Sequence, residues 1–189
     1  MKNQPDSRNI FIRGKVVDLR VLTREDVLHG PWYGWFNDEE ICKTLQKHYF
    51  PNTVESQLKF WESNIQDAKD KLQLGICKTG NDNLLGIVSL NAIDYINRKC
   101  EFSIVIGEKE GRNISIFLES ARLIFKHAFK TLNMNKIYGG SLSKELVTLM
   151  CRSLGCKEEG ISRMDIFKNG SYHDSYRYSI LSDEFILSE

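Results

Sequence analysis

The strongest constraint on the fold of this chain is one long amphipathic helix in its middle. Apolar residues recur at helical spacing between Phe117 and Leu132, over about four turns. The segments before and after this helix show the alternation and the turn residues of strands and hairpins. Because helical and strand patterns follow each other along the chain, the sequence predicts a mixed α/β fold.

The first part of the chain is predicted to hold one strand followed by two or three helices. Residues 15–22 alternate between apolar and polar side chains in the middle, as a half-buried strand does. Thr23 then offers a helix N-cap, and residues 39–47 are predicted as a short helix. Asn52, with an acid three residues later, is the predicted cap of an amphipathic helix over 54–68.

The rest of the chain is predicted to contain most of the sheet. Turn residues separate its apolar runs, and Asn-Gly is the strongest short hairpin signal. The predicted elements are strands 72–78, 84–93 and 100–107, a strand near 136–138, a helix over about 144–154 ended by Gly155, and a hairpin that pairs 161–167 with 176–181 across Asn169-Gly170.

Composition narrows the class of protein. The chain has 189 residues, with 26 Lys and Arg against 25 Asp and Glu, and a net charge of +1. This balance gives no long-range attraction for nucleic acid or anionic lipid, and no apolar run approaches the ~18–20 residues of a membrane span. Residues 1–8 lack the apolar core of a secretory signal, so we expect a cytoplasmic location. We expect one domain over 1–189, with polar tails at about 1–9 and 183–189.

The cysteines argue against a disulfide framework and against a metal site. Their number is odd, no C-x-x-C pair occurs, and no histidine stands at ligand spacing from them. We therefore expect reduced thiols and no metal. The cysteines are Cys42, Cys77, Cys100, Cys151 and Cys156.

Three groups of motifs follow one another along the chain. Each motif is weak by itself, and their order makes them specific. They are LRVLTRED at 19–26 with WFNDEE at 35–40, LGIVSL at 85–90 with CEFSIVI at 100–106, and SLGCKEEG at 153–160 with NGSYHD at 169–174.

These motifs resemble those of the GNAT superfamily of N-acetyltransferases. The closest likeness is to its RimJ/RimL-like branch, which includes ribosomal-protein, polyamine and amino-sugar acetyltransferases. The resemblance implies a mostly antiparallel sheet of about six to seven strands with a splayed central pair, flanked by about four helices. It also implies acetyl-CoA as the acetyl donor, and it is compatible with a homodimer.

The resemblance assigns donor binding to one strand and to the start of the long helix. In the family, the free N–H groups of the splayed strand bond the pantetheine arm, and the helix N-terminus binds the pyrophosphate. Ser115 and Phe117 stand where the family motif usually has small residues, and Phe117 can turn inward with the apolar face of the helix. The implied donor-binding residues are Ser103, Ile104, Val105, Ile106, Arg112, Asn113, Ile114, Ser115, Ile116 and Phe117.

The resemblance also implies candidates for proton transfer. Glu101 opens the splayed strand, where relatives carry an acid that acts as a base through a water, although a solvated carboxylate is an equal alternative. His48 and Asp94 are further candidates for the base. Cys151 stands where the family has its tyrosine acid, and a thiol can protonate a thiolate of similar basicity. A small buried thiol is the alternative for Cys151, and Tyr138 is a second candidate for the acid.

Acceptor binding is expected from the aromatic-rich segment after the first helix. Aromatic faces can stack on a sugar ring or a base. The acidic residues form no long run, which disfavours a polyamine and leaves an amino sugar, free or nucleotide-linked, as the preferred acceptor. The alternatives are a peptide N-terminus and a module that binds acyl-CoA without catalysis. The candidate acceptor residues are Trp32, Tyr33, Asn37, His48 and Tyr49.

Overall fold

The fold is an eight-stranded sheet covered by helices. The computed structural model describes residues 9–45, 49–66 and 68–185. The strand order is β1-β2-β3-β4-β5-β6-β8-β7. The strands are β1 (Ile10–Ile12), β2 (Val17–Val21), β3 (Leu72–Lys78), β4 (Gly86–Asp94), β5 (Lys99–Ile106), β6 (Lys136–Ser141), β7 (Lys157–Lys168) and β8 (Ser171–Leu181).

Six α-helices are found in these described ranges. The first four are short and lie before β3, and a π-helical turn over Glu62–Gln66 extends the fourth. No helix among the described residues is long and apolar enough to cross a membrane. The helices are α1 (Arg24–Leu28), α2 (Trp32–Trp35), α3 (Glu39–Cys42), α4 (Val54–Trp61), α5 (Ile114–Lys130) and α6 (Lys144–Leu154).

The main core lies between one face of the sheet and helices α5 and α6. The apolar face of α5 is buried there, as its periodicity predicts, and includes Ala121, Ile124 and Phe125. These side chains pack against alternate residues of the central strands, among them Leu90 and Phe102. A second cluster, formed around Trp32 and Trp35, joins α1, α2 and α4 to the opposite face of the sheet. Both faces of the central sheet are therefore covered.

One strand pair differs from all the others. All neighbouring strands are antiparallel except β5 and β6, which run parallel. Their ladder contains only the pairs Lys99 with Lys136, Cys100 with Ile137, and Glu101 with Tyr138. Beyond these pairs β5 continues beside β4, and β6 continues beside β8. The predicted splayed central pair is therefore confirmed.

Several predicted boundaries and counts were wrong. The sheet has eight strands rather than six or seven, because β1 was not predicted, and there are six helices rather than about four. Thr53, not Asn52, caps α4, because the Thr53 side chain accepts from the Ser56 N–H. Helix α5 begins at Ile114, before its apolar repeat. Phe185, in the expected polar tail, packs on Phe129 with 5.3 Å between ring centroids.

A buried ion pair ties α1 to the sheet. Arg20 on β2 donates to both carboxylate oxygens of Asp26 on α1, at 2.6 and 2.8 Å. Thr23 caps the same helix, and its backbone N–H also donates to Asp26 at 2.8 Å. Burial alone would raise the pKa of Asp26, but the hydrogen bonds from Arg20 and Thr23 outweigh it and hold this pKa below its usual value. The pair thereby fixes α1 against β2.

We expect Asp26→Asn to lower the free energy of unfolding at pH 7 by about 3–5 kcal/mol, because Arg20 is left buried without a counter-charge. A lowered folded-state pKa stabilises the protein above the unfolded value of about 4, and this contribution is lost as the pH falls through the folded pKa. Urea unfolding at several pH values should therefore show the difference between wild type and variant shrinking in acid. A difference that stays constant down to pH 2 would contradict this assignment.

Candidate active site

The site is built around the gap that opens where the β5–β6 ladder ends. The Arg98 carbonyl, just before β5, faces β6 and accepts from the Lys136 N–H at 3.1 Å. The Gly107 N–H, just after β5, faces the β4 side and donates to the Leu85 carbonyl at 3.0 Å. Because backbone groups alternate between the two edges of a strand, even-numbered residues of β5 face β6 and odd-numbered ones face β4. Ile104 and Ile106 therefore direct their N–H and C=O groups into the gap.

Two cavities meet at this gap. The large cavity has a volume of about 640 Å³ and lies on the side of α2 and α4. The small cavity has a volume of about 240 Å³ and is lined by Phe117 of α5, Leu146 of α6 and Tyr178 of β8. The two cavities share lining residues on both diverging strands, among them Ser103, Ile104, Val105, Gly140 and Ser141.

The floor of the large cavity is a polar face of the sheet. Gln73, Ser89 and Ser103 are aligned across β3, β4 and β5, and all three line the cavity. Asn91 and Glu101 form the next row, and Asn91 Nδ2 donates to Ser103 Oγ at 3.0 Å. Since side chains alternate between the two faces of a strand, the residues between these polar ones enter the main core. This strand alternation creates a polar floor without any loop.

Aromatic side chains form the opposite wall of the large cavity. Trp32 is fully buried, and Asn52 and Gln57 lie beside it. Asn52 Nδ2 donates to Gln57 Oε1 at 2.9 Å, which orients the Gln57 amide. The aromatic lining residues are Trp32, Phe36, Tyr49, Phe50 and Phe60.

Glu101 lies where the ladder ends and the large cavity begins. Glu101 is the last residue of β5 that pairs with β6, and its partner on β6 is Tyr138. Glu101 is half-buried and lines the large cavity. Burial and the nearby charge of Glu101 raise the pKa of Tyr138. A carboxylate at this position can take a proton from a group bound in the large cavity.

Tyr178 was not predicted as a site residue, and it lines the small cavity. It stands opposite Gly139 on β6, and a Cβ added to Gly139 would lie 2.5 Å from Tyr178 Oη. The glycine therefore lets the tyrosine ring cross β6 towards the gap. Burial, with smaller contributions from Cys156 and Glu101, raises the pKa of Tyr178. In the sequence, Gly139 is the only signal of this contact, and a glycine does not indicate which side chain occupies the space beside it.

The two predicted acids lie off the cavity lining. Tyr138 and Cys151 are absent from the described lining of both cavities. Cys151 packs partly buried against the main core, where burial and Glu158 raise its pKa. Tyr138 pairs with Glu101 at the end of the ladder. Of these three hydroxyl or thiol groups, the structure brings only Tyr178 to the lining at the gap.

The start of α5 is capped by its own side chains. Asn113 Oδ1 accepts from the Ser115 N–H at 2.8 Å, and Arg112 Nη2 donates to the Gly107 carbonyl at 3.2 Å. Phe117 is half-buried against the main core and also lines the small cavity, so its ring turns only partly inward. Ile114 and Ile116 carry two of the N–H groups that a helix start leaves without a helical partner.

The predicted acceptor residues divide into two groups. Trp32 and Tyr49 line the large cavity, and His48 lies outside the described residues. Tyr33 and Asn37 do not line it: the Asn37 amide pairs with the Asn52 backbone, and the Tyr33 carbonyl accepts from Asn52 Nδ2. Both hold the wall in place instead of facing the cavity. Within the described ranges, no three His, Cys, Asp or Glu residues come together as a metal site, and all five cysteines are free.

Comparison with known proteins identifies the family. The sequence profile of the acetyltransferase (GNAT) domain matches residues 17–145, so the chain belongs to this family. It is 31% identical over 173 residues to spermidine N(1)-acetyltransferase of Vibrio cholerae, covering 89% of this chain and 94% of the relative. It is 28% identical over 157 residues to Bacillus subtilis YdaF, provisionally named a ribosomal N-acetyltransferase, covering 82% and 79%.

The fold of a solved structure agrees with this assignment. Spermidine N-acetyltransferase from Vibrio cholerae, in complex with CoA and spermine, superposes with a TM-score of 0.80 at 24% identity, covering 90% of this chain and 98% of that chain. The protein is therefore an N-acetyltransferase of the GNAT family, and acetyl-CoA is its acetyl donor.

Proposed function

We propose that this enzyme transfers the acetyl group of acetyl-CoA to a primary amine of a small, hydroxyl-bearing molecule such as an amino sugar. The amine binds in the large cavity, the pantetheine arm enters the gap, and the diphosphate binds at the start of α5. The observation that carries this proposal is the position of Glu101, at the point where the gap opens into the large cavity.

Donor binding rests on two sets of backbone N–H groups. Those of Ile104 and Ile106 face the gap and can bond the pantetheine arm and the thioester carbonyl. Those at the start of α5 can meet the diphosphate, where the positive end of the helix dipole favours an anion. Asn113 occupies the Ser115 N–H and the Gly107 carbonyl accepts from Arg112 Nη2, so the Ile114 N–H and the remaining N–H groups of Arg112 are the groups proposed to bind phosphate.

Glu101 is the proposed general base. An amine at neutral pH is protonated and cannot attack until it loses a proton. Glu101 takes that proton, directly or through a water, and the neutral nitrogen then attacks the thioester carbon. The new C–N bond forms through a tetrahedral oxyanion, which the backbone N–H groups in the gap stabilise. The C–S bond breaks as the oxyanion collapses.

Tyr178 is the proposed acid for the departing sulfur. A tyrosine hydroxyl is protonated at neutral pH, and the small cavity that Tyr178 lines opens onto the gap. It donates its proton to the CoA thiolate as the C–S bond breaks. Cys151, at the family's usual position for this acid, packs against the main core instead.

A polyamine is the second candidate acceptor, because relatives at 24–31% identity are named spermidine acetyltransferases. A polyamine carries several positive charges and needs several carboxylates. Glu101 is the only acid among the described lining residues of the large cavity, and Ser89, Asn91 and Ser103 beside it are neutral. This composition favours a hydroxyl-rich molecule over a polycation.

We expect Glu101→Gln to lower kcat by about 100-fold or more, because it removes the base without changing the side-chain volume. Release of CoA thiol with glucosamine as acceptor measures this. The loss should be smaller at high pH, where more of the amine is already neutral. Glu62→Gln, on an exposed acid beyond α4, is the matched control and should keep wild-type turnover.

Two results would contradict the proposed function. Wild-type turnover in Glu101→Gln would remove Glu101 from the mechanism. Thermal stabilisation of the wild type by acetyl-CoA, without thiol release from amino sugars, spermidine or peptide N-termini, would instead define a binding module without catalysis.

We expect Tyr178→Phe to lower kcat at least tenfold with little change in the affinity for CoA, because the variant keeps the ring and removes the proton. Cys151→Ala should keep at least half of wild-type turnover. Single-turnover kinetics and calorimetry with CoA separate the two effects. The opposite ranking, with Cys151→Ala the slower variant, would return the acid role to the thiol.

A further inference from the structure

The wall of the large cavity contains two buried N–H donors without a protein acceptor. Trp32 is fully buried and Gln57 is 3% exposed, and both side chains line the cavity. Neither Trp32 Nε1 nor Gln57 Nε2 donates a hydrogen bond within the described part of the chain. A buried donor without an acceptor costs free energy. A ligand that brings oxygen acceptors into this cavity would recover that cost.

A lysine stands at one edge of the same cavity. Lys71 directly precedes β3, and extending the β3–β4 register by one residue sets it opposite Asn91. The Ile93 N–H donates to the Asp70 carbonyl at 2.8 Å, so the two strands are still adjacent there. Lys71 Nζ lies 5.1 Å from the centre of the Phe60 ring and forms no ion pair with any described residue.

Lys71 and Glu101 therefore stand at the two ends of one row of the cavity floor. Asn91 lies between them, opposite Glu101 in the β4–β5 register. Adjacent strands are about 4.8 Å apart, so the two charged residues are about 10 Å apart at the backbone. They are the only residues with formally charged side chains among the described residues that line the cavity.

We infer that the acceptor is an amine that also carries an anionic oxygen group, a phosphate or a carboxylate, which binds Lys71 while the amine lies at Glu101. This inference rests on the proposed function and specifies its substrate class. The anionic and hydroxyl oxygens accept from Lys71, Trp32 and Gln57, and the row through Asn91 sets the separation of the two ligand groups. A polyamine brings only further donors and positive charge, so it satisfies none of these three residues.

A second cation, Arg177, lies near the cavity. Arg177 on β8 lies across Gly140, and a Cβ added there would be 2.8 Å from Arg177 Nη1. Gly140 lines the cavity beside the gap. Glu159, an acid that interacts electrostatically with Arg177, also bonds Lys136 and Ser179. Arg177 therefore adds a positive charge close to the glycine part of the lining, which disfavours a polycation.

Two matched pairs of amines test this inference by calorimetry on the CoA-loaded protein. Glucosamine 6-phosphate against glucosamine tests phosphate, and 6-aminohexanoate against 6-aminohexanamide tests carboxylate. We expect the wild type to bind at least one anionic partner about tenfold more tightly than its neutral match, because hydrogen bonds to a charged group are stronger than those between neutral groups. Lys71→Met should abolish this preference, and Lys71→Arg should keep it. Lys69→Met, on an exposed lysine two residues away, should leave it unchanged.

The outcomes separate this inference from the proposed function. Equal affinity within both pairs, tighter binding of spermidine, or an unchanged preference in Lys71→Met would overturn the anionic acceptor. Preference for an anionic partner that depends on Lys71, without any thiol release, would support the binding site and contradict the acetylation of that ligand class. Release of thiol only with spermidine would overturn the inference and leave the enzyme an acetyltransferase.

Discussion

The whole site depends on a ladder that stops after three residue pairs. Beyond Glu101 and Tyr138, β5 and β6 lose their pairing, and β5 remains bonded only to β4. A strand inside a sheet normally pairs along both of its edges. The unpaired edge of β5 beyond Glu101 must therefore be kept open by the residues around it. Tyr178 crosses Gly139 from the neighbouring strand and directs its ring towards the gap. The same contact that lets β8 pack closely thus brings a hydroxyl to the lining of the small cavity.

In the proposed mechanism, strand β5 serves both halves of the reaction, because its side chains alternate between two faces and its backbone groups alternate between two edges. Its odd-numbered side chains, Glu101 and Ser103, join the polar floor of the large cavity. The backbone groups of Ile104 and Ile106 face the gap instead. In this proposal one strand presents both the amine-binding surface and the donor-binding edge, a few ångströms apart. Chemistry between two bound molecules needs this proximity more than any single side chain.

The sequence predicted features that depend on local pattern and missed those that depend on packing. The period of α5, the Asn169-Gly170 hairpin and the position of Glu101 follow from spacing and motif, and the structure has them there. Tyr178 and Lys71 were missed because a tyrosine within a strand and a lysine before one carry no signal of the cavity that they line. Asn37 was assigned to the acceptor because its role in holding Asn52 is visible only in three dimensions.

Hydrogen exchange of the β5 amides, measured by NMR, tests the open gap most directly. We expect the Ile104 and Ile106 N–H groups to exchange at least about tenfold faster than those of Ser103 and Val105, which face β4, because hydrogen-bonded amides exchange only on local opening. Saturating CoA should slow exchange at Ile104 and Ile106 and leave Ser103 and Val105 little changed. Equal, slow exchange at all four amides without CoA would mean that β5 and β6 pair along their whole length, and it would contradict the open gap on which the proposed mechanism depends.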